Sequence, residues 1–197
     1  MEYLQSLDTD LFFLINGWNN SFFDPIMYWL SHKLIWIPMY LLIAYLIVRR
    51  YRIKGLLMLA FIGLVITLCD QTASGLLKDL VQRLRPSRDP AFEGMIHLSK
   101  AGPGGKYGFV SSHAANVFGL ATFLHFVLDS KFRLMKVWLF IWAVLVAYSR
   151  IYNGVHYPGD VIVGSLIGAA YGWLLAKAYF KADAWLEERK RKKQMQS

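Results

Sequence analysis

Long apolar segments alternate with short polar stretches along this sequence of 197 residues. A helix needs about 17–25 mostly apolar residues to cross a bilayer, and an open sheet would leave backbone groups unpaired in lipid. The pattern therefore predicts an all-α fold, a polytopic membrane helical bundle. Its five predicted transmembrane helices lie near residues 34–50, 55–77, 110–129, 135–152 and 158–180.

The segment before the first predicted span is apolar but too often interrupted to cross the bilayer. Asp8 or Thr9 is expected to cap a helix that ends at Gly17. Asp24 is expected to cap a second helix, with Pro25 at its first position. The aromatic side chains of this segment are typical of the headgroup zone. These features predict one or two interfacial helices that lie on the bilayer.

The whole chain is interpreted as a single membrane-embedded domain with three parts. Residues 1–33 form the interfacial segment, residues 34–180 the transmembrane core and residues 181–197 a basic cytoplasmic tail. A sixth span that starts near Phe12 is the alternative. The first 32 residues carry no Lys or Arg, so the basic start of a cleavable signal peptide is missing.

The chain is strongly basic, with 22 Lys and Arg residues against 13 Asp and Glu residues and a formal net charge of +9. In a sequence that is 56% hydrophobic, this excess indicates contact with anionic lipid headgroups. Nucleic-acid binding is disfavoured, because the basic residues flank apolar spans and no recognition motif accompanies them.

The distribution of basic residues predicts the orientation in the membrane, because cytoplasmic loops carry more Lys and Arg. The first hairpin, between the first and second predicted spans, contains Arg49, Arg50, Arg52 and Lys54. The third hairpin, between the third and fourth spans, contains Lys131, Arg133 and Lys136. The tail contains Lys181, Arg189, Lys190, Arg191, Lys192 and Lys193. Five spans place all of them on one face, the cytoplasmic one. The N-terminus, the 78–109 loop and the 150–158 turn then lie on the opposite, non-cytoplasmic face.

Three clusters of polar residues interrupt the apolar pattern, and the predicted topology brings all of them to the non-cytoplasmic interface. They consist of Lys78 and Arg85; Ser111, Ser112 and His113; and Ser149, Arg150, His156 and Asp160. A phosphate ester needs its negative oxygens neutralised before a nucleophile can approach, and Arg and Lys side chains supply that charge. The clusters therefore indicate a phosphoryl-transfer site at a membrane surface.

Each remaining polar residue has a matching role in such a site. Ser111 and Ser112 precede an apolar run and are expected to cap that helix, directing its free N–H groups at an anion. His113 lies in the same first turn and is suited to protonate a leaving alkoxide. His156 and Asp160 are four residues apart, so the carboxylate is expected to hold the imidazole in one tautomer.

Two other interpretations of these residues stay open. Taken singly, a Lys or Arg at a helix end is most often an anchor that reaches for the headgroups. Alternatively, His113, His156 and Asp160 resemble a set of zinc ligands. The nearby cations disfavour a divalent metal at the same place, so we predict no metal and no other cofactor.

At these residues the chain resembles the type-2 phosphatidic acid phosphatase superfamily, whose signature is Lys-x6-Arg-Pro, Pro-Ser-Gly-His and Ser-Arg-x5-His-x3-Asp. The first part is complete as Lys78…Arg85-Pro86, and the third as Ser149-Arg150…His156…Asp160. In the second part, Val110 and Ser112 replace the Pro and Gly of the family, while Ser111 and His113 match it. The signature covers residues 78–160.

The resemblance implies a metal-independent mechanism in two steps. His156 would attack phosphorus and form a phosphohistidine while Asp160 orients it, and His113 would protonate the leaving group and then help to activate water. The phosphoryl oxygens would be bound by Lys78, Arg85, Arg150 and Ser111, with the backbone of Ser112.

Two further residues are predicted to support this site. Asp70 lies within the second span, where a carboxylate is costly and usually paired. Positions 70, 74 and 78 share a helical stripe, so Asp70 is expected to brace Lys78 through Ser74 or water, unless it bonds to a neighbouring helix instead. Ser149 precedes Arg150 and is assigned to the same supporting layer.

We therefore predict an integral membrane lipid phosphatase acting on a phosphomonoester or diphosphate of an anionic lipid. The family implies undecaprenyl diphosphate, phosphatidylglycerol phosphate, phosphatidic acid and lipid A as substrates, and we favour undecaprenyl diphosphate. A lipid phosphotransferase and a non-catalytic lipid binder or transporter are the alternative classes. The predicted partners are the lipid substrate and the membrane; the sequence predicts no oligomeric state.

Overall fold

The computed structural model describes residues 2–196, and within this range the ordered elements are helices. The α-helices are α1 (Glu2–Gly17), α2 (Phe23–Ser31), α3 (Ile37–Tyr51), α4 (Ile53–Asp70), α5 (Lys78–Val81), α6 (Ser112–Val127), α7 (Arg133–Tyr152) and α8 (Pro158–Gln194). A 3-10 turn, Lys33–Trp36, leads into α3, and a π-helical segment, Gln71–Leu77, joins α4 to α5. The predicted all-α fold is confirmed.

Four of these segments are long and apolar enough to cross a membrane: Lys33–Tyr51, Ile53–Val81, Ser130–Tyr152 and Pro158–Gln194. They correspond to four of the five predicted spans, although the helices around Lys78 and after residue 180 extend further than predicted. The remaining predicted span contains α6, which has 16 residues and is nearly enclosed by protein.

Helix α6 forms the centre of the bundle, between α4, α7 and α8. Glycines on α8 allow the close contact, because a Cβ atom on Gly164 would lie 2.6 Å from the Ser111 carbonyl oxygen. A Cβ on Gly168 would lie 2.1 Å from the carbonyl oxygen of Ala115, on the next turn of α6. Small residues spaced four apart permit such backbone contact between membrane helices. This packing places the N-terminal ends of α6 and α8 side by side.

Helix α1 packs against this end of the bundle through residues four apart on one face. Phe12 is fully buried, and its ring lies 5.5 Å from the Tyr157 ring. Asn16 donates hydrogen bonds to the carbonyl oxygens of Tyr152 and His97 at 2.8 and 2.9 Å. Leu7, Leu11 and Leu14 are exposed on the other side of the helix, as in an amphipathic element.

Two predicted helix starts in this region are wrong, while the predicted end of α1 at Gly17 is confirmed. Helix α1 begins at Glu2, so neither Asp8 nor Thr9 caps it. Helix α2 begins at Phe23, and Asn20 rather than Asp24 accepts hydrogen bonds from its first free N–H groups. Long-range partners account for both differences, because Asp8 and Asp24 bind side chains of distant segments.

The opposite end of the bundle gathers the basic segments, as the sequence predicts. Arg50 in the first hairpin forms an ion pair with Asp129 in the third hairpin at 2.7 Å. Lys54 forms ion pairs with Asp183 and Glu187 of α8, at 3.0 and 3.1 Å. The three segments therefore lie together, at the end remote from the polar clusters.

Candidate active site

The three polar clusters meet where the N-terminal ends of α6 and α8 lie next to the loop that follows α5. Ser111 is the N-cap of α6, and its side chain accepts a hydrogen bond from the Ala114 N–H. The Ser111 N–H in turn donates to the backbone carbonyl of Asp160 at 3.0 Å. Ser112 is the first residue of α6 and His113 follows it, so both lie in the first turn, as predicted.

His156 lies just before α8, and its two ring nitrogens face different partners. Arg85 Nη1 lies 3.2 Å from Nε2, and Asp160 Oδ2 lies 3.4 Å from Nδ1. Because a guanidinium can only donate, Nε2 is the acceptor and the proton is on Nδ1. His156 therefore directs the lone pair of Nε2 at the Arg85 guanidinium.

Asp160 is fully buried in the first turn of α8, where its carboxylate forms part of the helix cap. Oδ2 accepts a hydrogen bond from the Tyr157 N–H at 3.0 Å, and this same oxygen faces the imidazole of His156. Oδ1 accepts a hydrogen bond from Arg83 at 3.0 Å. Pro158 begins the helix without separating His156 from Asp160, so the predicted pairing of these two residues is present.

Burial lowers the pKa of the His156 imidazole well below its usual range, and the positive charges of Arg85, Arg150 and Lys78 lower it further. A hydrogen bond with the Gly108 backbone acts in the opposite direction but is the smallest of these effects. The ring is therefore neutral near pH 7, which is the form that a nucleophilic imidazole requires.

Arg85 is held rigidly by the loop and the turn before α8. Its Nε donates to the Tyr107 carbonyl and its Nη1 donates to the Val155 carbonyl, both at 3.1 Å. The side chain is buried, and this fixes the direction of its remaining N–H groups. Such a preorganised donor suits charge that develops on a phosphoryl oxygen.

Lys78 stands at the start of α5, directly after the π-helical segment. Its Nζ donates to Ser74 Oγ at 3.2 Å, so the predicted contact between positions 74 and 78 is present. Asp70 acts on Lys78 through its charge rather than through a direct hydrogen bond. The π-helical segment separates Asp70 from Lys78 and alters the α-helical register on which direct bracing depended.

Arg150 lies in the last turn of α7 and donates from Nη1 to Ser31 Oγ of α2. Its Nε is buried and has no partner among the described residues. The preceding Ser149 is fully buried and donates to the Val146 carbonyl at 2.7 Å within its own helix. An unpaired guanidinium N–H beside the other cations leaves a donor available for an anion.

His113 lines a largely apolar cavity of about 450 Å³ that extends from the polar cluster between the helices. Its other walls include Lys33, Tyr40, Asn116, Leu120 and Trp142. His113 lies within electrostatic range of Arg150, His156 and Lys78. The cavity therefore connects an apolar space to the position expected for the proton donor.

No three His, Cys, Asp or Glu side chains come together as metal ligands within residues 2–196. His156 and Asp160 are neighbours, but His113 does not join them in such a group. The alternative zinc interpretation of the three residues therefore lacks a ligand cluster in this fold.

Sequence reasoning missed three residues at the centre of the site. Arg83 contacts Asp160, and Asp8 contacts Arg83 at 2.8 Å. Gly108 lies so close that a Cβ atom there would be 2.9 Å from Asp160 Oδ2. Only Arg83 had a sequence signal, since it lies two residues before Arg85, and its partner Asp8 is 75 positions earlier in the chain.

Comparison with known proteins identifies the family of the chain. Residues 54–184 match the PAP2 superfamily. The chain is 37% identical to the lipid A 4'-phosphatase of Bacteroides thetaiotaomicron over 189 residues, covering 95% of this chain and 83% of that protein. It is 33% identical to the undecaprenyl-diphosphatase of Sulfolobus acidocaldarius over 171 residues, which cover 85% and 76% of the two chains.

A solved structure has the same fold. The crystal structure of a transmembrane PAP2-type phosphatidylglycerolphosphate phosphatase from Bacillus subtilis aligns with a TM-score of 0.67 at 22% identity, covering 92% of this chain and 88% of the other. Together with the apolar helices, these matches lead to one conclusion: the chain belongs to the PAP2 superfamily and is an integral membrane lipid phosphatase, a phosphoric ester hydrolase.

Proposed function

We propose that this enzyme removes a phosphate from lipid A, or from a closely similar phosphorylated glycolipid, through a phosphohistidine on His156. The observation that carries the chemistry is the arrangement of His156, with Nε2 free of its proton beside Arg85 and Nδ1 directed at Asp160. His156 and Asp160 are both buried, which limits the access of bulk water to this nitrogen.

The first step forms a bond between His156 Nε2 and phosphorus while the ester P–O bond breaks. His113, in its protonated form, gives one proton to the leaving oxygen and becomes neutral, and the positive charge gained by His156 is balanced by Asp160. The phosphoryl group enters next to Arg85 with phosphorus facing Nε2, and its oxygens are bound by Arg85, Arg150 and Lys78.

The second step returns the enzyme to its starting state. His113 now accepts a proton from a water molecule, whose oxygen attacks phosphorus as the P–N bond to His156 breaks. Inorganic phosphate leaves, and the lone pair returns to Nε2. Ser111 and the Ser112 backbone, at the N-terminus of α6, contribute donors for the oxygens.

The lipid part of the substrate would occupy the cavity beside His113. Its volume of about 450 Å³ and its apolar walls suit one hydrocarbon chain, while Lys33 and Ser31 at the polar side suit a headgroup. A lipid held in this way keeps its phosphate at the membrane interface, next to the cations.

Lipid A is the first substrate proposed, because the lipid A 4'-phosphatase relative matches 95% of the chain. Undecaprenyl diphosphate, which the sequence alone favoured, is the second candidate, supported by the undecaprenyl-diphosphatase relative over 85% of the chain. Both are anionic lipids with apolar chains, so the cations bind either headgroup and the cavity determines the preference.

The proposed topology has five spans, with α6 as the third. At about 1.5 Å per residue its 16 residues extend roughly 24 Å, less than the thickness of about 30 Å of a hydrocarbon core. A helix enclosed by α4, α7 and α8 does not itself need to match the lipid. The basic end would face the cytoplasm and the active site the outside of a bacterial inner membrane.

The test is phosphate release by purified enzyme in detergent with excess EDTA, from lipid A, undecaprenyl diphosphate, phosphatidylglycerol phosphate and phosphatidic acid. His156→Ala should abolish turnover while leaving folding intact. His125→Ala is the matched control, because His125 is exposed near the other end of α6. Vanadate should inhibit the wild type strongly.

Each result bears on one part of the proposal. If phosphate were released fastest from undecaprenyl diphosphate, that lipid would replace lipid A as the proposed substrate and the proposed mechanism would be retained. Turnover by His156→Ala near the wild-type rate would remove the nucleophile assignment. No release from any lipid by folded protein would point to a phosphotransferase that needs an acceptor alcohol, or to a non-catalytic lipid binder.

A further inference from the structure

Helix α1 lies outside residues 54–184, which match the superfamily, yet one face of it contacts the turn between α7 and α8 that carries His156. Asp8, Phe12 and Asn16 are spaced four apart, so they share that face. Phe12 packs on Tyr157, Asn16 binds the Tyr152 carbonyl, and the Asp8 carboxylate accepts a hydrogen bond from the Gly159 N–H at 2.7 Å. All three contacts fall within residues 152–159.

Arg83 connects this helix to Asp160 through both arms of its guanidinium. Nη1 lies 3.0 Å from Asp160 Oδ1 and Nη2 lies 2.8 Å from Asp8 Oδ2. The guanidinium carbon lies 3.9 Å from the centre of the Tyr157 ring, so the cation also makes a cation–π contact with that ring. Arg83 is therefore fixed on three sides, and its fork of donors matches two carboxylates at once.

This arrangement determines what each oxygen of Asp160 does. Oδ1 is held by Arg83, so Oδ2 is left for the His156 ring and the Tyr157 N–H. The Asp160 side chain is fully buried, whereas that of Arg83 is 26% exposed and that of Asp8 is 14% exposed. A buried carboxylate stays ionised and in place only with a paired cation.

We propose that Arg83 and Asp8 are positioning residues of the phosphatase: Arg83 fixes the Asp160 carboxylate that orients His156, and Asp8 fixes Arg83 together with the first turn of α8. This inference rests on the proposed role of His156 as the nucleophile. Neither residue is assigned a contact with the phosphate, because both arms of Arg83 are occupied by carboxylates and Asp8 is itself an anion. Their effect is therefore on the chemical step rather than on lipid binding.

The experiment compares Arg83→Met, Arg83→Lys and Asp8→Asn with Asp10→Asn, for kcat, KM and the thermal unfolding midpoint in detergent. Asp10 is the matched control, because it is an exposed carboxylate on the same helix that interacts only with Ser6 among the described side-chain hydrogen bonds. Arg83→Met keeps an unbranched apolar stem but removes the charge and the N–H donors. Arg83→Lys restores the charge without the fork.

We expect Arg83→Met to lower kcat about 10- to 100-fold with KM nearly unchanged, as for outer partners that orient metal-bound histidines. Arg83→Lys should recover part of that loss, because a point charge can pair with Asp160 but cannot also bind Asp8. Asp8→Asn should lower kcat by a smaller factor. Adding it to Arg83→Met should have a less than additive effect, since the two residues share their ion pair and only the contact of Asp8 with Gly159 is independent of Arg83.

A different set of results would overturn the inference. If Arg83→Met kept the wild-type kcat, or if only the unfolding midpoint fell while kcat stayed normal, Arg83 would have a purely structural role. Additive losses in the double variant would separate Asp8 from Arg83. A failure of the proposed function can be told apart from a failure of this inference. If His156 is not the nucleophile, the His156→Ala variant keeps its activity, whatever the result at Arg83.

Discussion

Gly108 lies against the two residues on which the orientation of His156 depends. A Cβ atom at this position would be 2.9 Å from Asp160 Oδ2 and 3.2 Å from Arg85 Cγ. Both neighbours are held by further hydrogen bonds, to Tyr157 and to Val155, so neither has room to withdraw. The smallest possible side chain at position 108 would therefore disturb the site.

Gly108→Ala is expected to reduce kcat by about 10-fold or more, because displacements below 1 Å at reacting groups already have large effects on rate. The measurement is steady-state phosphate release from the preferred lipid. Gly105→Ala is the control in the same loop, since no atom lies within 4 Å of a Cβ there. Equal activity of the two variants would mean that the carboxylate can shift without consequence.

The lowered pKa of His156 gives a prediction about the acid side of the rate profile. In the proposed mechanism the neutral imidazole of His156 is the reactive form, and burial together with Arg85, Arg150 and Lys78 disfavours the protonated form. Activity that depends on His156 should therefore persist below the ordinary histidine pKa of about 6.5 and be lost only at lower pH. An unshifted histidine would begin to lose activity near that value.

The measurement is kcat/KM against pH for an aryl phosphate ester, whose leaving group departs without help from His113. The profile is corrected for the second ionisation of the phosphate, at about pH 6. An acid limb at or above pH 6.5 after this correction would contradict the neutral, buried state of His156.

At the level of helices, the contact between α6 and α8 decides whether the two ends of the site meet. A Cβ on Gly168 would lie 2.1 Å from the Ala115 carbonyl oxygen and 2.9 Å from the Gly119 nitrogen, and both of these are backbone atoms that cannot rotate away. The two helices would have to separate to admit a methyl group. Separation would also move Ser111 from Asp160, whose backbones are joined by a hydrogen bond.

Gly168→Ala is accordingly expected to destabilise the fold by about 1–3 kcal/mol, the usual cost of overpacking, and to lower activity in parallel. Gly63→Ala on α4 is the control, because a Cβ there meets open space and helix propensity alone predicts a gain of roughly 0.5–1 kcal/mol. Thermal unfolding in detergent compares the two. A Gly168→Ala midpoint equal to that of the wild type would rule out close backbone contact at this point.

The helices were predictable from the sequence to different degrees, for physical reasons. Hydropathy located α3, α4, α7 and α8, because lipid imposes the same requirement on every exposed position of a span. The start of α1 was not predictable, since Asp8 looks like a local cap but binds Arg83 and Gly159 far along the chain. Local capping rules cannot anticipate a partner of that kind.

The site residues also divide into those that local spacing predicts and those that depend on distant partners. The positions with fixed spacing, such as His156 and Asp160, were found because a helix turn determines their contact. The π-helical segment before Lys78 was not foreseen, because it changes the register by one residue without a marker such as proline. Arg83 was missed because its importance lies only in where its two carboxylate partners stand in space.

At the level of the whole molecule, the bundle has two chemically different ends. One end holds the polar clusters, and the other joins Arg50 to Asp129 and Lys54 to Asp183. Positive residues are retained on the cytoplasmic side of membranes, so the second end is predicted to face the cytoplasm. The chain offers a clean way to test this, because its single cysteine, Cys69, is fully buried.

In a Cys69→Ala background, Lys100→Cys and Lys131→Cys place one reactive thiol at each end, and both lysines are exposed. A membrane-impermeant maleimide added to intact spheroplasts should label Lys100→Cys, which lies in the loop beside the active site, and should leave Lys131→Cys unlabelled until the membrane is permeabilised. Phosphatase activity of each variant verifies that the fold is retained. The reverse labelling pattern would place the active site in the cytoplasm, where the enzyme would meet its lipid on the opposite leaflet. If both positions were labelled in intact spheroplasts, residues 100 and 131 would lie on the same side of the membrane. Helix α6, which lies between them, would then not cross it.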